Sequence, residues 1–343
     1  MPDLFSTDAL VAVIEDLRVP NFGLASRYFP SVIEESSEEI HFDVENRPRR
    51  MAPFVSPLVA GQLVASRGFR TDTYKPAYIK DKRPFHPGRA IKRVMGERIG
   101  GGELSPAERM DILVAMDLQD QIDGVERRLE WMAAKTLYDG KITVEGAQYP
   151  KVTVDFDRHA DLTITLSGAN RWGEAGIKPL DSLQDYSDAM VKRTGVGISD
   201  VIMTIDAWKV FRSDADVKER LDRYRGNSTL QQDAHNREGL IFQGVVDGFN
   251  FYTYSGWGIM PGDTEAQEQS LLPAFTVICT AAPAQVEGVR QFGAILDHEA
   301  LQAMAYFPKS WLEHDPSMRY LLLQSAPLLV PYRVNATMRI KVR

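Results

Sequence analysis

A capping box opens at Ser105-Pro106-Ala107-Glu108, and from there to Gly140 only Gly124 interrupts a run of good helix formers. The serine oxygen takes an orphan N–H of the first turn, the glutamate reaches back to the cap's own N–H, and proline suits the first helical position. Gly140 stands where a helix closes in the left-handed conformation. Between these signals Leu118, Ile122, Val125, Leu129, Met132 and Thr136 recur at alternating spacings of four and three, which is one continuous apolar stripe. A helix from Ser105 to Asp139 is a rod of about 50 Å at the helical rise. Globular helices average roughly a dozen residues, so a rod this long predicts a spine with other pieces hung along it. Gly124 costs about 1 kcal/mol against alanine in mid-helix and marks the place where the rod would bend.

The chain of 343 residues carries a net charge of −7, and that charge is unevenly placed. Residues 1–46 hold ten acidic and two basic side chains, and residues 47–100 hold three acidic and thirteen basic. The rest holds thirty-four acidic and twenty-five basic, so the three segments carry −8, +10 and −9. A basic segment inside an acidic chain needs an acidic partner, either nucleic acid or another copy of the same chain, unless it is simply a solvated face. No apolar run approaches the length that spans a bilayer, and the acidic start (Asp3, Asp8) lacks the basic region of a signal peptide. The single cysteine, Cys279, lies in the apolar run from Ala274 to Ala282 and reads as a buried, inert thiol made in a reducing cytoplasm.

Along the chain, residues 1–20 read as a short amphipathic helix (Leu10, Val11, Ile14, Leu17), and Asn21 to Arg50 as an extended arm with an acidic patch at Glu34, Glu35, Glu38 and Glu39. Such a segment, with little core-forming periodicity, orders against something else. Residues 52–86 read as a long basic hairpin. A Pro-broken apolar stretch (Phe54, Val55, Leu58, Val59) leads through Arg67, Phe69 and Arg70 into a polar strand with Tyr74, Pro76, Tyr78 and Lys80. Proline confines a strand to an edge or a ribbon, and a two-stranded ribbon without a core is marginal in water. A neighbour is the expected support. After the helix, strands at Lys141–Val144, Lys151–Phe156 and Leu162–Leu166 precede a second region of mixed helices and strands, an α+β order without regular βαβ alternation.

Chemistry is scarce. No Gly-x-Gly-x-x-Gly or Gly-Lys-Ser/Thr loop occurs, Gly100-Gly101-Gly102 lacks a lysine, and Asp297-His298-Glu299 has no second histidine at helical spacing. Asp157-Arg158-His159-Ala160-Asp161 gathers metal-ligand types, but in a polar turn where they are common. No catalytic, cofactor or metal site is expected. The basic run with interleaved Tyr74, Tyr78 and Phe85 offers phosphate contacts and stacking platforms without base readout, and fits a protein–protein contact equally well.

Three ordered stretches resemble the major capsid (head) proteins of lambda-type tailed phages, the phage capsid protein E family. They are Phe54-Val55-Ser56-Pro57-Leu58-Val59-Ala60-Gly61 with Ser66-Arg67-Gly68 and Tyr78-Ile79-Lys80; Val210-Phe211-Arg212-Ser213 running into Val217-Lys218-Glu219-Arg220-Leu221-Asp222; and Tyr306-Phe307-Pro308-Lys309-Ser310-Trp311 with Gln324-Ser325-Ala326-Pro327-Leu328. The resemblance spans about residues 50 to 330. It implies a tailed-phage major capsid fold: an N-terminal arm (1–50), an extended loop (51–90), and a peripheral domain with the spine helix (91–182, spine 105–139). An axial domain (183–305) and C-terminal strands returning to the peripheral domain (306–343) complete it. Phe54, Val55, Leu58, Val59, Arg67, Phe69, Arg70, Tyr74, Tyr78 and Lys80 would then touch a neighbouring subunit, while Leu118, Ile122, Val125, Leu129 and Met132 form the core of the spine. The implied function is a shell protein, assembled in the host cytoplasm into pentamers and hexamers of an icosahedral head around double-stranded DNA. Its implied partners are other copies of itself, a separate scaffold, a portal, a decoration protein and the packaged DNA. A minor vertex protein of the same fold and a nucleic-acid-binding oligomer are the alternatives.

Overall fold

The computed structural model describes residues 6–17, 23–45, 51–52, 54, 69–92, 94, 97, 104–146, 149–225, 239–260, 267–300, 303–315 and 317–343. Its longest element is the helix Pro106–Asp139, closed at both ends as the residues dictate. Ser105 Oγ accepts the Glu108 N–H, and the Glu108 carboxylate accepts the Ser105 N–H at 2.7 Å. At the far end Gly140 takes φ 68°, and the Arg158 guanidinium donates to the free carbonyls of Leu137 and Tyr138. A side chain at Gly140 would meet Arg158 Cβ at 2.7 Å, so glycine serves both the backbone turn and the capping arginine. Burial pulls the Arg158 pKa down to about 10, with the Arg339 charge adding to the effect.

The apolar stripe joins several hydrophobic groups along the rod. Leu118 packs with Leu10, Phe85, Val114 and Leu321. Ile122 and Val125 pack with Leu323, against which Ile14, Leu17 and Ile79 also lie. Leu129 and Met132 enter the main core of the molecule. Each such side chain contributes about 1.5–3 kcal/mol on burial, so one helix face fastens two regions of the chain. Gly124 is on the exposed side, where an added Cβ would meet nothing within 4 Å.

The N-terminal half of the spine and the amphipathic helix Thr7–Asp16 cover one face of a three-stranded antiparallel sheet ordered Phe307–Glu313, Met318–Ser325, Ile79–Phe85. The C-terminal half packs beside Pro327–Pro331 and Thr337–Lys341. The largest sheet has six strands in the order Thr163–Thr165, Thr337–Lys341, Thr276–Thr280, Asp200–Thr204, Phe249–Ser255, Gly239–Val246. Its central pair, Asp200–Thr204 and Thr276–Thr280, is buried at every position, which is why the middle of each, Val201–Met203 and Val277–Cys279, is apolar without alternation. Trp208, Phe211 and Phe251 stack over this sheet, and Trp172 joins them from a loop at 5.7 Å from Phe211. A further sheet pairs Ser31–Glu34, Gly288–Phe292 and Pro327–Pro331.

Phe69–Tyr74 runs antiparallel to Ile40–Glu45, while residues 55–68, which hold the other arm of the expected hairpin, lie outside the described residues. The run expected as one strand from Thr71 to Lys82 is broken, and Ile79–Phe85 joins Met318–Ser325 instead. Pro76 lies in the unpaired link between the two pieces, where its missing N–H costs nothing. The final strand, Thr337–Lys341, lies between Thr163–Thr165 and Thr276–Thr280 and packs beside the C-terminal half of the spine.

Two stability outcomes follow from this packing. Leu129→Ala removes a fully buried side chain from the main core and is expected to cost about 2–5 kcal/mol in urea denaturation of the unassembled subunit. Gly124→Ala meets no steric obstacle and is expected to raise the same stability by up to about 1 kcal/mol.

Candidate functional site

The helix Leu24–Tyr28 lies inside the segment expected to order against something else, and it orders on its own chain. Leu24, Tyr28 and Phe29 are fully buried. Gly23 offers no side chain to cap the helix; the cap comes from the spine, where the Glu130 carboxylate accepts the N–H groups of Leu24 and Ala25 at 3.0 and 2.8 Å. A carboxylate is well suited to the positive end of a helix. Burial nevertheless raises the Glu130 pKa, with those two N–H groups opposing it and Glu126 one turn away adding to it.

The other end of this short helix is held by Asp200 on the central sheet. The Asp200 carboxylate is inaccessible and accepts from Arg27 Nη2 at 2.7 Å, Tyr28 Oη at 2.9 Å and Asn250 Nδ2 at 2.9 Å. Burial works against the Arg27 charge, but the Asp200 contact outweighs it and the arginine pKa rises. Arg27 also lies 4.6 Å over the Tyr252 ring. These contacts fuse arm, spine and sheet into one body.

The free face of the three-stranded sheet carries a lysine–aromatic ladder. Tyr320 sits opposite Trp311, their rings 5.5 Å apart, and Lys82 Nζ lies 3.9 Å from the Tyr320 ring and 5.0 Å from Trp311. Lys80 lies 5.2 Å over Tyr78. Cation–π contacts of this kind hold a lysine over a ring on an exposed surface.

Of the loop residues expected to touch a neighbour, Phe54 is fully exposed, while Val55, Leu58, Val59 and Arg67 lie outside the described residues. Phe69 and Arg70 pair with Glu45 and Val44. Tyr74 packs against the main core. Tyr78 donates to the Ala294 carbonyl at 2.9 Å and accepts from the Leu296 N–H at 3.1 Å, so its hydroxyl serves its own chain. Lys80 is exposed. Leu118, Ile122, Val125, Leu129 and Met132 are all buried.

The polar turn at Asp157–Asp161 is structural: Arg158 caps the spine, and His159 Nδ1 accepts the Asp161 N–H at 3.2 Å. Among the described residues no cluster of His, Cys, Asp or Glu could hold a metal, and no helix is long and apolar enough to cross a membrane. Cys279 is buried, which pushes its thiol pKa up. Glu130, Asp200 and Arg27 were not singled out from the sequence. The available signal was Glu126 and Glu130 at i, i+4 on the flank of an otherwise apolar stripe.

A profile of the family Phage major capsid protein E matches residues 6–342. The chain belongs to the phage major capsid protein E family. It is 28% identical to the major capsid protein of Escherichia phage lambda over 287 residues, covering 82% of each chain. It is 26% identical to that of Enterobacteria phage phi80 over 322 residues, covering 92% of each. A crystal structure of a prophage capsid protein from E. coli CFT073 superposes with a TM-score of 0.74 at 24% identity, covering 98% of this chain and 99% of that one. The capsid of Ralstonia phage GP4 superposes at 0.53 with 10% identity, covering 94% and 92%. The α+β architecture is thus the capsid fold. The chain is a major capsid protein of tailed-phage heads, a structural component of the virion and not an enzyme. A shell is made of many copies of its protein, so this capsid protein associates with itself.

The geometry of the site gives two expected outcomes. Asp200→Ala strands Arg27 and Tyr28 in the capsid protein and is expected to cost about 3 kcal/mol, the lower end for a broken buried pair, because 33% of the Arg27 side chain remains in water. Urea denaturation measures it. On the spine, Glu126 accepts from the hydroxyl of Tyr306, and burial raises its pKa despite that bond. The folded chain therefore holds this proton at higher pH than the unfolded chain does. The resulting stabilisation is full below the ordinary carboxylate range and is lost as pH rises through the folded value. Glu126→Gln is expected to match wild type at about pH 4 and exceed it at about pH 7 in denaturation midpoint.

Proposed function

We propose that copies of this capsid protein join head to tail into pentameric and hexameric rings, and that these tile an icosahedral head around double-stranded DNA. The observation that carries this reading is the family match from residue 6 to 342 on a chain whose successive segments carry −8, +10 and −9. Unlike charges at different places on one chain can complement each other in a head-to-tail contact, and such a contact closes into rings when its rotation allows. Each contact can be modest, because a subunit in a shell is held by several at once.

The extended loop, residues 51–90 with Phe54 exposed at its start, is the segment proposed to lie across a neighbour. Residues 183–305 would form the domain at the ring centre. Packaged DNA would be met through phosphate charge without base readout. A separate scaffold, a portal and a decoration protein are the further partners that the family resemblance supplies.

Negative-stain microscopy with sedimentation velocity, on the protein expressed alone and with its neighbouring genes, tests this. Polyhedral shells, tubes or five- and six-fold rings are expected. A soluble monomer or dimer under both conditions would overturn the reading.

A further inference from the structure

Two exposed patches on the chain are each incomplete, and they complement one another. The first lies midway along the spine. A two-stranded ribbon, Trp257–Ile259 with Glu268–Ser270, leaves a cleft of about 300 Å3 lined by Gly124, Arg128, Trp131, Trp257, Ile259, Leu271 and Glu268, whose carboxylate does not reach Arg128. Arg127 fastens the ribbon by donating to the Trp257 carbonyl at 2.7 Å. Trp257 and Ile259 remain 44% and 54% exposed. Arg128 is half-buried and lies over the Trp131 ring at 5.0 Å. Burial lowers its pKa, and no carboxylate among the described residues holds it up. A partly desolvated guanidinium of this kind is an unfilled site for a carboxylate. Gly124 leaves the helix backbone open to close approach.

The second patch is the edge strand Ser31–Glu34, exposed at all four positions. It pairs in parallel with Gly288–Phe292 along one edge and ends the order of its sheet. Val32 and Ile33 are 49% and 37% exposed, unusual for an edge strand left to water. Glu34 and Glu35 follow directly. The Glu34 carboxylate accepts the Ala305 N–H at 2.9 Å. Glu38 pairs with Lys75. Glu35 has no cation partner among the described residues.

We propose that the apolar, acidic edge of one copy seats in the apolar, basic cleft of a second copy, with Glu35 meeting Arg128 and with Val32 and Ile33 covering Trp257 and Ile259. The proposal rests on the capsid reading and names one of its contacts. The occupant is another copy because the same chain carries both the acid that Arg128 lacks and the base that Glu35 lacks. The two patches differ, so they can join head to tail, which leaves each copy with one free edge and one free cleft, as ring growth requires. Apolar burial supplies affinity, and the charge pair sets orientation and excludes a like-charged register.

Charge reversal tests the contact. Arg128→Glu and Glu35→Arg are each expected to reduce the fraction of protein sedimenting as shells or rings by about tenfold or more, and the double variant to recover to within about threefold of wild type. A second, independent arm uses Val32→Cys with Ile259→Cys. Oxidation of assembled particles is expected to give a ladder of covalent multimers on a denaturing gel, while Cys279, being buried, gives none on its own. Single variants that assemble like wild type, or particles of the cysteine pair that give no ladder, would overturn the contact while wild-type shells leave the capsid reading intact. Wild type that never assembles would overturn both. If the singles fail to assemble and the double does not recover, the ladder decides: its presence upholds the contact and its absence ends it.

Discussion

One apolar stripe, from Leu118 through Met132, is the constraint on which the other elements depend. It is long enough to serve two bodies of structure. Its first turns hold the three-stranded sheet and the amphipathic helix Thr7–Asp16, and its last turns enter the core beneath the six-stranded sheet. A rod can transmit that arrangement only if its ends are closed, and here they are, by the Ser105–Glu108 box and by Gly140 with Arg158. Losing one buried contact on the stripe therefore loosens the joint between two regions as well as a local core.

Along the same rod, polar groups are buried where packing alone would favour apolar ones. Glu130 caps the short arm helix, and Asp200 grips that helix from the central sheet through Arg27 and Tyr28. Buried charges of this kind add little net stability but penalise any other placement of the arm, because each alternative leaves a carboxylate or a guanidinium without its partner. For a capsid protein this divides the chain's surface usefully. The arm helix is committed to its own subunit, while the lysine–aromatic ladder, the exposed edge at Val32 and Ile33 and the cleft by Gly124 face outward.

Much of the fold was legible because its signals are local. The spine's caps, its stripe and the apolar run around Cys279 can each be read within a window of a few turns, since period and capping are properties of neighbouring residues. The partner of Phe69–Tyr74 was not legible, for the opposite reason. Phe69–Tyr74 finds its partner in Ile40–Glu45, across a long intervening stretch, and nothing in a polar strand of that length states which distant strand it will join. The five-residue helix at Leu24 was invisible because it is too short to show a period and its cap is supplied by a residue 106 positions away.

The sequence by itself determined the long helix, which of its faces is buried, the mixed α+β class and the lack of a catalytic motif, and its ordered motifs pointed to the capsid family. Those features rest on local propensity, periodicity and residue identity. Tertiary structure alone decided that the arm helix is clamped between Glu130 and Asp200, that the last strand joins the six-stranded sheet, and that Arg128 is half-buried without a carboxylate partner among the described residues. Each of these depends on groups far apart in the chain meeting in a desolvated place, where the cost of an unpaired charge selects the partner.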